Sequence, residues 1–275
     1  MELEQQRGKF AAQGLGIVAI SYDPPALMKD FASRKGITYP LLGDGESAMI
    51  RSFGILNGNF PPEHEWYGVP FPGTYIVNEK GVVLSKFFED DHRERYTAST
   101  VLLRTGASTV DGWQEAETKH LKLRYGATES TVRPGNLVAL AVEVELKPGM
   151  HVYAPGVQSS YIPIDWKMPN STSWLARPAQ YPAARTLHLA AIQESVPVYE
   201  NRFRLTRELL VGQSGEIRPA LGPDNKLKVE GSLRYQACDD KICYAPVTVP
   251  LEWSFATERH DGQRAPAELR RKPAR

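Results

Sequence analysis

The two cysteines of the chain, Cys238 and Cys243, are the residues best suited to chemistry, because two nearby thiols can form and break a disulfide. The four residues Asp239–Ile242 separate them in the stretch RYQACDDKICYAP, which is typical of a hairpin with one cysteine on each strand. Opposed residues of antiparallel strands lie about 4.5–5.5 Å apart at Cα, and a disulfide accepts that distance. The spacing therefore predicts that the two sulfurs can bond to each other.

Three roles are open to this pair: reversible thiol–disulfide exchange, a structural disulfide, or two unbonded thiols. A structural bond here would be weak, since closing a loop of about six residues constrains the unfolded chain by only ~2 kcal/mol. A chain of 275 residues can bury enough apolar surface without such a cross-link. We therefore favour exchange, with Cys238 and Cys243 as the reacting groups.

The residues of the hairpin loop predict a disulfide that is attacked rather than a thiol that attacks. Asp239 and Asp240 oppose thiolate formation, Lys241 offsets them only in part, and a hairpin has no helix dipole to lower a thiol pKa. A partner thiolate would attack one sulfur and form a mixed disulfide, which a second thiol then resolves. Run backward, the same steps deliver two electrons to an oxidised partner.

Bulky residues flank the cysteines on both sides. We predict that Tyr235, Tyr244 and Pro246 form part of the binding surface and limit the access of small thiols to the sulfurs. Ordinary packing of aromatic side chains beside a strand is the alternative interpretation.

Composition excludes several other kinds of function. The formal net charge is +1 with both signs interspersed, so no basic surface for nucleic acid is predicted, and no apolar run approaches the ~20 residues of a membrane span. The histidines show no spacing suited to zinc, and the glycines show no phosphate-binding motif, so we predict no metal and no cofactor. The opening residues MELEQQRGKF do not resemble a secretory signal, which leaves the compartment unknown.

The first part of the chain alternates helical and strand patterns, which indicates an α/β unit. The predicted helices cover 2–13, 24–35, 46–53 and 93–103. The predicted strands are LGIVAISY, which we expect to be covered on both faces, TYPLLGD, and a hairpin over 73–90 with its turn at 78–81.

Beyond the small polar residues 105–112 the strand pattern dominates, and short alternating strands separated by Gly, Pro and Asn predict an antiparallel β-sandwich. We therefore predict an α/β domain over 1–106, an all-β domain over 112–256, and a disordered basic tail over 257–275.

The first domain resembles the thioredoxin-like redoxins of the alkyl hydroperoxide reductase and thiol-specific antioxidant family. The residues that carry the resemblance are GIVAISYDPPALMKDFASRKGITYPLLGD and VPFPGTYIVNEKGVV. The family has a cis proline beside its active site, and Pro72 matches that position, so the resemblance implies that Pro72 is cis and contacts a partner. An ordinary turn proline is the alternative interpretation.

The resemblance is incomplete at the position that matters most for chemistry. The family's reactive cysteine stands at the start of the helix that here begins near Glu2, yet no cysteine precedes Cys238, and Gly73 replaces an arginine common in peroxidases. We therefore expect a redoxin domain that lacks its first strand and active-site cysteine and does not reduce peroxides alone. One alternative is a fragment of a peroxiredoxin-like antioxidant protein whose cysteine lies upstream of Met1; another is a degenerate redoxin fold that serves only for docking.

The second domain resembles the N-terminal, immunoglobulin-like domain of the bacterial thiol:disulfide interchange protein DsbD. The stretch GSLRYQACDDKICYAPVTVPLEW matches that domain's last hairpin, although the family's cysteine loop is usually one residue longer, and VPVYENRFRL matches the preceding strand. The resemblance implies disulfide exchange with thioredoxin-like partners, a periplasmic location, and a shielding segment within 193–199 that includes Val198 and Tyr199.

Overall fold

A computed structural model describes residues 2–88, 91, 93–107, 110–158, 161–189 and 193–269. The chain divides into two compact units, one formed by residues 1–107 with 260–275 and the other by residues 108–259. The structure is mixed, mostly β with a few short helices. Within the described residues, none of the helices combines the length and the hydropathy that crossing a bilayer requires.

The first unit contains short helices and two small pairs of strands. Its helices are Glu2–Ala12 (α1), Pro25–Lys35 (α2), Ala48–Ser52 (α3) and Ala98–Arg104 (α4), and its strands are Ala19–Ser21 (β1), Leu41–Gly43 (β2), Gly73–Val77 (β3), Val83–Phe88 (β4) and Arg95–Tyr96 (β5). β1 pairs with β2 in parallel, and β3 pairs with β4 as an antiparallel hairpin. A buried apolar cluster of Phe10, Phe87, Ala98, Val101, Leu102 and Ala107 joins α1, β4 and α4.

Two predicted elements of this unit differ from the structure. The stretch LGIVAISY was expected to be covered on both faces, but β1 has only three residues, and Val18 and Ile20 are 54% and 42% exposed. Helix α4 begins at Ala98 rather than near 93, because Arg95–Tyr96 is extended and Thr97 caps the helix by accepting from the Thr100 amide.

The prediction of a cis proline is wrong, because the peptide bonds of the described residues, including that of Pro72, are all trans. The trans form is the lower in energy for an X–Pro bond by about 0.5–1 kcal/mol. The flanking backbone is already extended, since the Phe71 amide donates to the Ile55 carbonyl at 2.7 Å and β3 begins at Gly73. A Cβ atom at Gly73 would lie 2.3 Å from the Phe88 ring, so the arginine common at this position in peroxidases would fit only if that ring moved.

The second unit is built almost entirely from strands. They are Asp111–Glu117 (β6), Leu121–Ala127 (β7), Thr131–Val132 (β8), Asn136–Leu146 (β9), His151–Tyr153 (β10), Asp165–Lys167 (β11), Trp174–Ala176 (β12), Arg185–Leu189 (β13), Glu194–Glu200 (β14), Arg202–Val211 (β15), Lys226–Tyr235 (β16), Ala237–Cys238 (β17) and Val247–Thr257 (β18), with the helix Ser214–Ile217 (α5) between β15 and β16. Short 3₁₀ turns occur at Arg218–Ala220 and, in the first unit, at Ala267–Leu269.

These strands form three sheets in the orders β12-β15-β9-β7-β6, β11-β16-β18-β8 and β13-β14-β10-β17. The first two sheets pack against each other through a large apolar core in which alternate residues of β16 and β18 are buried. Trp253 of β18 crosses this core, since its ring stacks on Trp166 and its Nε1 donates to the Gly126 carbonyl of β7 at 3.0 Å. The third sheet carries the cysteine strand β17.

The tail predicted to be disordered over 257–275 starts within described structure. Thr257 is the last residue of β18, and the carboxylate of Asp261 forms an ion pair with Lys35. Residues 270–275 lie outside the described residues, and disorder there stays a prediction.

Candidate functional site

Cys238 and Cys243 are bonded to each other, with their Cα atoms 4.0 Å apart, slightly closer than expected for opposed strand residues. Cys238 ends β17, which pairs with β10 so that Cys238 faces His151 and Ala237 faces Val152. Cys243 returns antiparallel to Cys238 as an isolated bridge after a loop of four residues. The predicted hairpin and its disulfide are therefore both present.

One side chain, Asp239, organises the loop between the cysteines. Its Oδ1 accepts from the amides of Lys241 and Ile242 at 2.8 and 2.9 Å, and its Oδ2 accepts from the Tyr244 hydroxyl at 2.8 Å. These hydrogen bonds hold the pKa of the Asp239 carboxyl below its usual range and raise the pKa of the Tyr244 hydroxyl. The Asp239 carboxylate, which was expected to oppose thiolate formation, thus accepts hydrogen bonds from the loop backbone and from Tyr244.

The two sulfur-bearing residues differ in accessibility. Cys238 is 1% exposed and belongs to an apolar cluster with Tyr153, Val196 and Val198, whereas Cys243 is exposed. The difference arises because Cys238 lies within a sheet, while Cys243 follows the loop and lies at the surface. An external thiol can therefore approach the disulfide from the side of Cys243.

Tyr153 of β10 contacts both sulfurs. Its hydroxyl lies 3.4 Å from Cys243 Sγ and 3.6 Å from Cys238 Sγ, and its ring packs 4.5 Å from that of Tyr161. Burial raises the pKa of Tyr153, with Glu194 adding to the shift. A hydroxyl that keeps its proton at neutral pH can donate a hydrogen bond to a sulfur, and most strongly to a thiolate.

Two buried histidines contact residues of the cysteine hairpin. His151 lies opposite Cys238 in the β10–β17 pair, and His120 packs its ring 4.5 Å from that of Tyr244. Of the buried side-chain atoms in the described part of the chain, His151 Nε2 and both ring nitrogens of His120 have no hydrogen-bond partner. Burial lowers the pKa of both imidazoles, and for His120 the charges of Lys119 and Lys147 lower it further.

We expect the stability of the second unit to fall as the pH is lowered below about 6.5, the pKa of an unfolded histidine. Between that value and the lowered pKa of the folded state, the unfolded chain binds more protons, so the free energy of unfolding rises with pH and levels off above about 6.5. Chemical unfolding at pH 5 and pH 7 measures the difference, and His120→Phe should reduce it. An equal difference in wild type and variant would contradict the assignment to His120.

The structure brings some of the predicted site residues together and separates others. Tyr244 and Val198 lie beside the cysteines, because the Tyr244 hydroxyl donates a hydrogen bond to Asp239 in the cysteine loop and Val198 packs against Cys238. Pro246 is exposed and immediately precedes β18. The remaining predicted residues are elsewhere: Tyr235 is fully buried with its hydroxyl 2.7 Å from Thr118 Oγ1, Tyr199 donates to the Pro182 carbonyl and stacks on Phe203, and Pro72 belongs to the first unit.

Sequence reasoning missed Tyr153, Tyr161, His120 and His151. One signal was available for two of them, since His151 and Tyr153 are two apart in a strand and so share a face. Nothing in the sequence indicated that this face would lie against the cysteines, because β10 and β17 are far apart along the chain.

The chain is similar to two families of thiol redox proteins. Residues 1–86 match the family model of the AhpC/TSA family, and residues 124–252 match that of the thiol:disulfide interchange protein DsbD, N-terminal. Both resemblances predicted from the sequence are confirmed by these matches. The mixed fold agrees with a thioredoxin-like part followed by a β-rich part.

The similar curated proteins are named as peroxiredoxins or as alkyl hydroperoxide reductase. A Mycobacterium tuberculosis protein named as a peroxiredoxin is 31% identical over 81 residues, which is 28% of this chain and 48% of the relative. Alkyl hydroperoxide reductase E of Mycobacterium bovis is 31% identical over 87 residues, which is 30% of this chain and 52% of the relative. The chain thus spans about half the length of the curated relatives it matches.

A solved structure also shows a limited likeness. The N-terminal periplasmic domain of ScsB from Proteus mirabilis is 15% identical, with a TM-score of 0.34 over 55% of this chain and 52% of that one. The two family matches and the disulfide support a thiol–disulfide redox role, with an AhpC/TSA-like segment preceding a DsbD N-terminal-like segment that contains both cysteines.

Proposed function

We propose that the chain is a thiol–disulfide exchange module that relays two electrons between the Cys238–Cys243 pair and thioredoxin-like partners. The observation that carries this proposal is the asymmetry of the disulfide, in which an exposed Cys243 is bonded to a buried Cys238 beside the Tyr153 hydroxyl. An exchanging disulfide needs one sulfur that a partner can reach and a leaving sulfur that stays in the protein.

The exchange follows from this arrangement. A partner thiolate attacks Cys243 Sγ, the bond to Cys238 breaks, and the electron pair leaves on Cys238 Sγ as a thiolate. The Tyr153 hydroxyl, already within 3.6 Å of that sulfur, donates a hydrogen bond to the new charge. The partner's second thiol then attacks the mixed disulfide at the partner's own sulfur and releases Cys243 as a thiol.

The partner class and the location rest on the match to the DsbD N-terminal family. A partner with a thioredoxin-like fold presents its reactive thiol at a helix start and is a suitable attacking group. The first unit matches the AhpC/TSA family, and residues 1–107 of this sequence contain no cysteine. We assign the module to the periplasm, an oxidising compartment where disulfides persist. From the same family match we assign its second unit to the immunoglobulin-like class.

The reduction potential of the pair tests the proposal. We expect equilibration with glutathione or dithiothreitol to give a value above about −300 mV, the upper bound typical of structural disulfides. We also expect a thioredoxin whose resolving cysteine has been replaced to be captured at Cys243. A potential below that bound, together with no captured complex, would instead favour a structural disulfide in a docking protein.

Removing the Tyr153 hydroxyl should slow reduction of the disulfide. A hydrogen bond to a charged group contributes about 1.5–3 kcal/mol, so Tyr153→Phe should lower the rate of reduction by dithiothreitol about 10- to 100-fold. Stopped-flow reduction measures that rate. The matched control is Tyr161→Phe, because the Tyr161 hydroxyl donates to Glu194 and not to a sulfur. Equal rates in the two variants would contradict a role for Tyr153.

A docking role for the first unit is a second candidate, favoured by its exposed apolar strand residues. Val18, Ile20 and Leu42, on or beside β1 and β2, are 54%, 42% and 50% exposed. Replacing Val18 and Leu42 with serine should weaken capture of the thioredoxin trap without changing reduction by dithiothreitol. Unchanged capture would remove this candidate.

A further inference from the structure

His151 occupies a position beside the disulfide that the exchange scheme above does not use. It is the register partner of Cys238 across the antiparallel β10–β17 pair, and directly opposed residues place their side chains on the same face with Cβ atoms about 4.5–5.5 Å apart. His151 is 4% exposed, and its Nε2 is without a hydrogen-bond partner among the described residues. A buried polar atom left unpaired costs free energy, so its presence requires an explanation.

The groups that face His151 leave its imidazole available to accept a proton. On β10 its ring packs edge-on against Tyr153 at 5.7 Å. Its neighbour on β14 is Glu200, whose carboxylate accepts a hydrogen bond from Arg185 at 2.6 Å. The negative charges of Asp239 and Asp240 in the cysteine loop also act on the imidazole.

The electron-donating direction of the proposed function creates a need for a base at this point. In the reduced protein the exposed Cys243 attacks an oxidised partner, and the resulting mixed disulfide is resolved only when Cys238 attacks Cys243 Sγ. Cys238 lies in an apolar cluster, and burial in apolar surroundings raises a thiol pKa. The thiolate is the nucleophile, so the Cys238 proton must first be transferred to another group.

We propose that His151 accepts the proton of the Cys238 thiol and thereby allows Cys238 to resolve the mixed disulfide at Cys243. The proposal rests on the proposed exchange function and adds a residue to it.

The step balances in atoms and electrons. The Cys238 proton moves to a ring nitrogen of His151, its register partner across β10 and β17, and the thiolate attacks Cys243 Sγ. The sulfur–sulfur bond to the partner breaks, and the electron pair leaves on the partner's sulfur. The protein regains its disulfide, the partner is reduced by two electrons over the whole reaction, and the imidazolium then gives its proton to solvent. Since the pKa of His151 is lowered, the imidazole is neutral at pH 7 and able to accept.

The test follows one mixed disulfide with a defined probe, oxidised glutathione. The reduced 275-residue chain is mixed with the probe, and acid-quenched samples are analysed by mass spectrometry for the glutathione adduct at Cys243 and for the closed disulfide. The rate of adduct resolution is measured between pH 5.5 and 9 for wild type, His151→Phe and His151→Gln. The matched control is His188→Phe, because His188 is an exposed residue on β13 of the same sheet.

The expected result is a specific loss in the resolving step. General bases contribute about 100-fold or more, so both His151 variants should resolve the adduct about 100-fold more slowly at pH 7, with the His188 variant unchanged. The wild-type rate should level off above the pKa of His151, whereas the variant rates should keep rising about tenfold per pH unit as hydroxide takes the proton. Phenylalanine keeps an aromatic ring at this position, and glutamine keeps a polar group. If His151 had only a structural role, one of the two variants should therefore keep the wild-type rate of resolution.

Two results would overturn the inference, and they are distinguishable. Resolution with wild-type rate and pH profile in either folded His151 variant would remove His151 from the reaction while leaving the exchange function intact. A wild-type protein that forms neither the glutathione adduct at Cys243 nor the closed disulfide would overturn the exchange function and the inference together.

Discussion

Cys238→Ser is expected to turn the chain into a trap that retains a partner at Cys243, whereas Cys243→Ser is expected to leave it nearly inert toward partner thiols. The reason is the difference in exposure, since Cys243 is at the surface and Cys238 is 1% exposed. A buried thiol reacts only when its surroundings open, and an opening that costs about 2.8 kcal/mol slows the reaction about 100-fold.

Alkylation by iodoacetamide under native conditions measures this difference directly. The free Cys243 of the first variant should react about 100-fold faster than the free Cys238 of the second. In guanidinium chloride the two rates should converge, which serves as the control for intrinsic reactivity. Similar rates in the native proteins would mean that both sulfurs can be reached, and the assignment of Cys243 as the attacked sulfur would be wrong.

Trp253→Ala is expected to be the most destabilising single change in the second unit, lowering its free energy of unfolding by about 3–5 kcal/mol. Trp253 is 2% exposed, stacks on Trp166, and donates through Nε1 to the Gly126 carbonyl. Alanine would leave a cavity between the two large sheets and would remove the hydrogen bond to the Gly126 carbonyl. A change of that size is a large fraction of the stability of a domain.

Urea unfolding followed by far-UV circular dichroism measures the loss, with the transition of each unit fitted separately because two units need not unfold together. Leu175→Ala is the matched control, since Leu175 is an apolar residue of the same unit that is 61% exposed. Its effect should stay within about 0.5 kcal/mol. A loss below about 1 kcal/mol for Trp253→Ala would show that the core does not depend on this side chain.

The order of elements in both units could be predicted from the sequence because local patterns determine it. The hairpin of β3 and β4 follows from alternating residues around the turn at Asn78–Gly81, and α2 ends at Gly36, which adopts the left-handed conformation expected of a C-cap. The exposure of β1 could not be predicted, since an apolar run indicates burial but does not show which strands will cover it.

The cysteine pair could be predicted because its partners are neighbours in sequence, and hairpin geometry then places them opposite each other. Tyr153 and His151 could not be predicted, because their position depends on the pairing of β10 with β17. A single sequence does not determine such long-range register. The prediction that Tyr199 lies beside the cysteines failed for a related reason. Adjacent residues of β14 point to opposite faces of the sheet, so of Val198 and Tyr199 only Val198 packs against Cys238.

The ends of the cysteine loop are also held by contacts that do not involve sulfur. The Tyr244 amide donates to the Ala237 carbonyl at 2.9 Å, and Gln236 Nε2 donates to the Tyr244 carbonyl at 3.0 Å. The long β16–β18 ladder ends at Tyr235, before the loop begins. After reduction, the two thiols would therefore remain close to each other at a high effective concentration. The disulfide could then form again without any refolding of the second unit.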